Sequence, residues 1–233
     1  MKNIKIVLVK PHYEENIGMV ARAIKNFGFR DLWLINPIAE ISSAKTISRA
    51  MHAQDILKKA KIFKNIEEVK KKVDLSIGTT AKISNSKIFR SALFLEEFAE
   101  LYANSKNKIA IFFGPEPSGL SNTELKEFDF LVNIPCSPKY KTMNLAQSVA
   151  VVLYSLFIRK KRKKQNIAGK NIRNRILETV KWLLPFARLN NPELVFISWK
   201  ALLGKTLVNE KEASAILAFL KGIKNRISEF KKN

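Results

Sequence analysis

Short apolar runs alternate with stretches of helical spacing through the first two-thirds of the chain. Ile4–Val9 is almost wholly apolar and predicts a buried strand. Asn16–Phe27 carries apolar residues at helical spacing and predicts a helix, with Asn16 as its N-cap. Leu32–Ile35 reads as a second strand, and a weak helical pattern runs from Ser48 to Lys59. Leu75–Gly78 reads as a strand ended by Gly78-Thr79-Thr80, and Ser91–Tyr102 as an amphipathic helix. Ile109–Phe113 is a strong strand pattern running straight into Gly114-Pro115. Ser121-Asn122-Thr123-Glu124 is a capping box for a short helix. Phe130–Ile134 predicts the next strand and Asn144–Ile158 a long apolar helix.

This alternation implies an α/β domain with a mostly parallel sheet and right-handed crossovers. In such sheets ligands sit beyond the carboxyl ends of the strands. The loops after Gly78, Phe113 and Ile134 therefore become the candidate ligand loops. From Arg159 the pattern changes to RKKRKKQNIAGKNIRNR, a basic stretch with a glycine and no clear apolar face at first. The boundary is placed there: a domain over 1–158, a basic linker over 159–174 and a small helical extension over 175–233. Past the basic block the pattern is helical, and Ile172 to Leu184 has helical spacing. Asn191-Pro192-Glu193 starts a helix that ends near Gly204 as C-cap, and Asn209 with Glu212 starts one running to about Phe230.

Charge sharpens the division. The chain of 233 residues has 42 Lys+Arg against 20 Asp+Glu, a formal net charge of +22. Residues 159–233 hold 19 basic and 5 acidic residues, so that one-third carries an excess of 14. A basic end of this kind favours a polyanionic partner through phosphate neutralisation and counterion release. Hydrophobic residues make up 46%, enough for a sizeable core, which excludes disorder throughout. Cys136 is the only cysteine, so no intrachain disulfide forms. No apolar run is long enough to span a bilayer, and no His/Cys cluster suggests a metal site. A cytoplasmic protein with no membrane and no metal partner is expected.

Three segments carry candidate chemistry. The first runs from Asn16 to Arg22, where Gly18 lets another backbone approach. The second is Phe113 to Leu120, in which two glycines and two prolines fix a tight loop. It is neither a P-loop nor a dinucleotide fingerprint, because no Lys-Ser/Thr follows its last glycine and G-x-G-x-x-G is absent. The third runs from Ile134 to Ala150, a polar, proline-rich loop that enters an apolar helix through Asn144.

Read together, N-x-G-x-x-A-R, F-G-x-E-x-x-G-L-S and I-P-x-S-P-x-Y-x-x-x-N-L-A-Q-S-V-A-V resemble, in order and spacing, the SPOUT superfamily of RNA methyltransferases. Within it they look like the TrmJ-type branch of the TrmH/TrmJ family, which modifies the ribose at position 32 of the tRNA anticodon loop. The resemblance covers roughly residues 4–158. It implies an α/β fold whose C-terminal stretch threads a trefoil knot, a homodimer with each site completed by the partner, S-adenosylmethionine as cofactor and tRNA as substrate. By position it implies cofactor contacts on Thr79, Thr80, Ala81, Gly114, Ile134, Lys141, Thr142, Met143 and Leu145.

The implied reaction is an in-line displacement of a sulfonium methyl by a ribose 2′-oxygen, in which positioning supplies much of the rate. The arginine that serves the 2′-hydroxyl corresponds to Arg22, with Asn16 and Glu116 as its neighbours. Whether Arg22 takes a proton or stabilises the developing oxyanion stays open, since a guanidinium normally stays protonated. Lys82, Ser137 and Asn144 are candidate substrate contacts, and Thr142 is a further one. Pro115 and Lys82 depart from the family's usual residues at those positions. The alternatives are a 2′-O-methyltransferase for another tRNA position or for ribosomal RNA, and a non-catalytic RNA-binding protein on the same fold.

Overall fold

A computed structural model of the chain describes residues 3–81, 92–160, 168–205 and 208–230. Among the described residues seven parallel strands form one sheet: β1 (Ile4–Val9), β2 (Asp31–Ile35), β3 (Lys61–Phe63), β4 (Leu75–Thr80), β5 (Ala92–Phe94), β6 (Ile109–Phe113) and β7 (Phe130–Asn133). Their spatial order is β3-β2-β1-β6-β4-β7-β5. The apolar strand runs follow from burial on both faces. Ile6, Leu8, Leu34, Ile77 and Ile111 face one core, while Val7, Val9, Ile35, Ala110 and Phe112 face the other.

The first core is covered by α1 (Glu14–Asn26), α2 (Ala44–Ala50), α3 (Gln54–Lys58), α5 (Leu95–Tyr102) and α7 (Leu145–Arg159). The second lies beneath α4 (Ile66–Lys70) and α6 (Asn122–Glu127). After β7 the chain returns to α7, which packs against α1 and α5. Among the described residues no helix is long and apolar enough to cross a membrane.

Several expectations need correction. Asn16 does not cap α1; the helix starts at Glu14 after an extended Tyr13, and Asn16 lies buried in its first turn. β4 runs on through Thr79 and Thr80, which pair with Val132 and Asn133 of β7. Gly78 is needed within the strand because the ring of Phe128 covers its Cα. The stretch expected to be helical from Ser91 begins instead with β5, an edge strand of three residues, and Ser91 lies outside the described residues. The weak pattern over 48–59 is two helices, parted at Met51 by a left-handed φ of 52° and a 3-10 turn.

Three further helices follow: α8 (Lys170–Leu183), α9 (Pro192–Lys205) and α10 (Glu210–Phe230). They share a core of Ile176, Val180, Leu203, Ala213, Leu217 and Leu220. The helix start at Lys170 falls inside the expected linker, of which residues 161–167 lie outside the described set. Asn191 accepts from the Leu194 amide at 2.9 Å, and Asn209 and Glu212 cap each other's amides at 3.0 and 2.8 Å. Gly204 is not the C-cap expected; it lies inside the last turn of α9, pressed on the ring of Phe130, and its carbonyl accepts from the Tyr102 hydroxyl.

One glycine sets how closely two helices meet. A Cβ on Gly18 would collide with the Thr46 carbonyl and the Arg49 Cβ of α2. Gly18→Ala is expected to destabilise the chain by about 1–3 kcal/mol through overpacking. Urea unfolding measures this, and an unchanged midpoint would mean that α2 yields without cost.

Candidate active site

The carboxyl ends of β4, β6 and β7 open into one concavity of about 280 Å³. The end of β4 contributes Thr79, Thr80 and Ala81. The loop after β6 contributes Gly114 through Leu120. The stretch after β7 contributes Ile134, Lys141, Thr142 and Met143, and α7 adds Leu145. All nine residues singled out as cofactor contacts therefore line a single space. Ser118, Leu120, Cys136 and Ser148 stand in the same segments and line it too, although none is among the expected contacts. The glycine and proline spacing of the loop after β6 was the available signal for the first two.

The loop geometry follows from its residues. Gly119 has a φ of +67°, which glycine adopts freely. Its amide donates to the Pro115 carbonyl at 2.8 Å and turns the loop back on itself. A Cβ on Gly114 would collide with the Gly119 backbone and the Leu120 amide. Ser121 and Glu124 then cap α6 reciprocally at 3.2 and 2.7 Å. On the opposite wall the Thr79 hydroxyl donates to the Phe112 carbonyl at 2.9 Å, and the Asn133 amide donates to the Thr80 carbonyl at 2.9 Å.

Asn16 ties the three segments together. Its Nδ2 donates to Glu116 Oε1 at 2.8 Å, and its Oδ1 accepts from Asn144 Nδ2 at 3.0 Å. Glu116 also accepts from the amides of His12 at 2.9 Å and Tyr13 at 3.4 Å. The carboxylate thus gathers donors from the two residues before α1 and from its first turn, where the helix dipole favours a negative charge. Asn144 Oδ1 meanwhile accepts from the amides of Ala146 and Gln147 and caps α7.

Two expectations about side chains change here. Asn144, expected at the substrate, has both ends of its amide engaged within the protein. Arg22 does not join Asn16 and Glu116. Six residues at about 100° each carry it roughly 120° round the helix from Asn16. It is exposed, forms no hydrogen bond or ion pair with a described residue, and lines a separate concavity with Asn26, Met51 and His52. Ser137 is exposed and accepts from the Lys139 amide in the loop after β7. Lys82 lies outside the described residues. Among the described residues no group of His, Cys, Asp or Glu is placed to hold a metal.

Glu116→Ala removes the acceptor for three donors, one of them on the buried Asn16. It is expected to cost about 1–3 kcal/mol, with Glu116→Gln costing less because one oxygen remains. Chemical denaturation of both variants checks the order, and equal losses would show that charge rather than accepting capacity matters.

The chain is similar over its length to proteins of known name. It is 32% identical over 229 residues to tRNA (cytidine-2'-O-)-methyltransferase TrmJ of Methanocaldococcus jannaschii, covering 94% of this chain and 98% of that protein. It is 33% identical over 159 residues to tRNA (cytidine/uridine-2'-O-)-methyltransferase TrmJ of Salmonella typhimurium, covering 67% of this chain and 64% of that one. The fold superposes on a probable methylase family protein of Haemophilus influenzae with a TM-score of 0.70 at 27% identity, covering 98% and 99% of the two chains. The model of the SpoU rRNA methylase family matches residues 3–154, the whole strand–helix unit that builds the concavity, and the chain belongs to that family.

Proposed function

We propose that the chain is a tRNA 2′-O-methyltransferase using S-adenosylmethionine, with the ribose of nucleotide 32 in the anticodon loop as its target. The observation that carries the reading is the convergence of three sequence-distant segments on one concavity at the strand ends. The residues fit the cofactor. Ile134, Met143 and Leu145 supply an apolar wall suited to an adenine ring, and Gly114 lets the loop after β6 fold back tightly beside it. Thr79, Thr80, Ala81, Lys141 and Thr142 supply polar side chains and backbone around it. S-adenosylmethionine supplies a methyl already activated on a sulfonium. We assign the stretch from β7 to α7 to the trefoil knot of SPOUT enzymes; the return of α7 onto α1 and α5 supports this.

The chain's own residues must then place and polarise a ribose 2′-hydroxyl. Arg22 is assigned this task electrostatically, fixing the adjacent phosphate and stabilising the oxyanion, because a guanidinium keeps its proton and offers only donors. Its distance from its own concavity fits a homodimer in which it completes the partner's site. An exposed apolar strip supports that assembly: Met19 on α1 lies one turn from Arg22, and Tyr154, Phe157 and Ile158 stand on α7. Ser137 and Thr142 are assigned to the substrate rim. Lys82 is assigned to a phosphate as a point charge. The basic helices of the extension, with the linker before them, are assigned to the tRNA body, where phosphate contacts give affinity rather than base choice. A cytoplasmic location goes with such a substrate.

Purified protein should transfer labelled methyl groups to a tRNA transcript but not to ribosomal RNA, and Arg22→Ala should abolish transfer while calorimetric binding of S-adenosylmethionine persists. Failure of the wild-type protein to bind S-adenosylmethionine would sink the enzyme reading, leaving an RNA-binding protein. Mapping 2′-O-methylation should place the mark at position 32. Phe157→Glu should shift the protein from dimer to monomer in sedimentation and lose transfer without losing the fold. Replacing Lys181, Lys221 and Lys224 together by Gln should lower the salt slope of tRNA binding by up to about three. An unchanged slope would assign the extension another job.

A further inference from the structure

A second cleft, of about 340 Å³, lies at the opposite end of the sheet from the concavity above. It opens between the starts of β4 and β7, the C-terminus of α4, and helices α8 and α9. Five cationic side chains line it, Lys70, Lys71, Lys170, Arg173 and Lys200, against three carboxylates, Glu67, Asp74 and Asp129. The lining thus keeps a surplus of two positive charges. The cations mostly meet neutral backbone oxygens. Lys170 donates to the carbonyls of Lys70 and Val73 at 2.9 and 2.7 Å. Lys70 and Lys200 both donate to the Glu127 carbonyl, at 2.9 and 3.2 Å, and Lys70 lies 3.6 Å from Glu67. Asp129 is engaged by the Ser76 amide and hydroxyl, each at 2.8 Å.

Arg173 is the decisive residue. It is 6% exposed, its Nη2 donates to the Asp74 carbonyl, and its buried Nε has no partner among the described residues. A buried donor on a cation costs free energy unless an acceptor meets it. Burial also pushes the pKa values of Arg173 and Lys200 down, with Asp129 opposing, as expected where cations are short of counter-charge. Beside the cations, Leu177, Phe196 and Leu203 form an apolar wall. We propose that this cleft binds a phosphate monoester dianion carried on a small ring-bearing molecule, of which a nucleoside 5′-monophosphate is the simplest. The dianion balances the surplus of two, its oxygens offer acceptors to the lining lysines, and Phe196 gives the ring an apolar surface. The site shares no residue with the concavity at the other end.

The test is calorimetry of the full chain with uridine 5′-monophosphate. The site predicts one saturable molecule per chain, and binding about tenfold weaker or lost for uridine, which lacks the dianion. Lys200→Gln should weaken binding by about tenfold and Lys200→Arg should restore most of it. Saturating S-adenosylhomocysteine should leave the affinity unchanged. Should Lys200→Gln fail to fold, Lys70→Gln carries the same expectation. No saturable binding, equal affinity in the Gln variant, displacement by S-adenosylhomocysteine, or occupancy of the cleft by tRNA alone would each overturn the proposal.

Discussion

The hydrogen bonds of one buried side chain hold the concavity together. Asn16 is 4% exposed, and its amide gives to Glu116 and takes from Asn144. Those two partners are 100 and 128 residues away in sequence, on the loop after β6 and at the start of α7. Each alternative placement of any one segment would strand polar atoms inside a low-dielectric space, where an unmet amide is costly. The pair of bonds therefore sets where the loop, the helix and the α1 start stand relative to one another. The walls of the concavity follow from that placement, and so does the axis along which α7 returns to the sheet.

The helical extension is fixed to the rest of the chain by the opposite logic. Instead of neutral amides facing one another, cations of α8 and α9 reach carbonyl oxygens where α4 and α6 end and just before β4. Carbonyls at a helix C-terminus carry partial negative charge, so lysines there serve as caps. Tyr102 adds a hydroxyl bond to Gly204, and both are sealed by close packing on Phe130. The two ends of the sheet thus differ in chemistry: glycine- and proline-rich loops at one, buried positive charge at the other.

Much of the fold was legible because its strands are buried on both faces. Such strands read as unbroken apolar runs, and β1 and β6 match their runs residue for residue. The edge strands β3 and β5 were not read, since three residues cannot show a period. Caps were legible at Ser121, Asn191 and Asn209, where a polar side chain before a clear helical pattern bonds within its own first turn, but not at Ser43 and Asn65, which start short helices. Gly204 was misread because a glycine near a helix end has two uses, a left-handed cap or close approach, and only the neighbour Phe130 distinguishes them.

By itself the sequence determined the alternation of strands and helices, the loops that carry chemistry and the concentration of charge in the last third. Those are local properties: periodicity, backbone freedom and side-chain type are written in consecutive residues. Tertiary structure decided what meets what. It joined Asn16 to Glu116 and Asn144, turned Arg22 to another face of α1, and gathered Lys70, Arg173 and Lys200 around one cleft. The physical reason is that hydrogen bonds and charges act over a few ångströms in space, whatever their separation along the chain, and only burial assigns those neighbours.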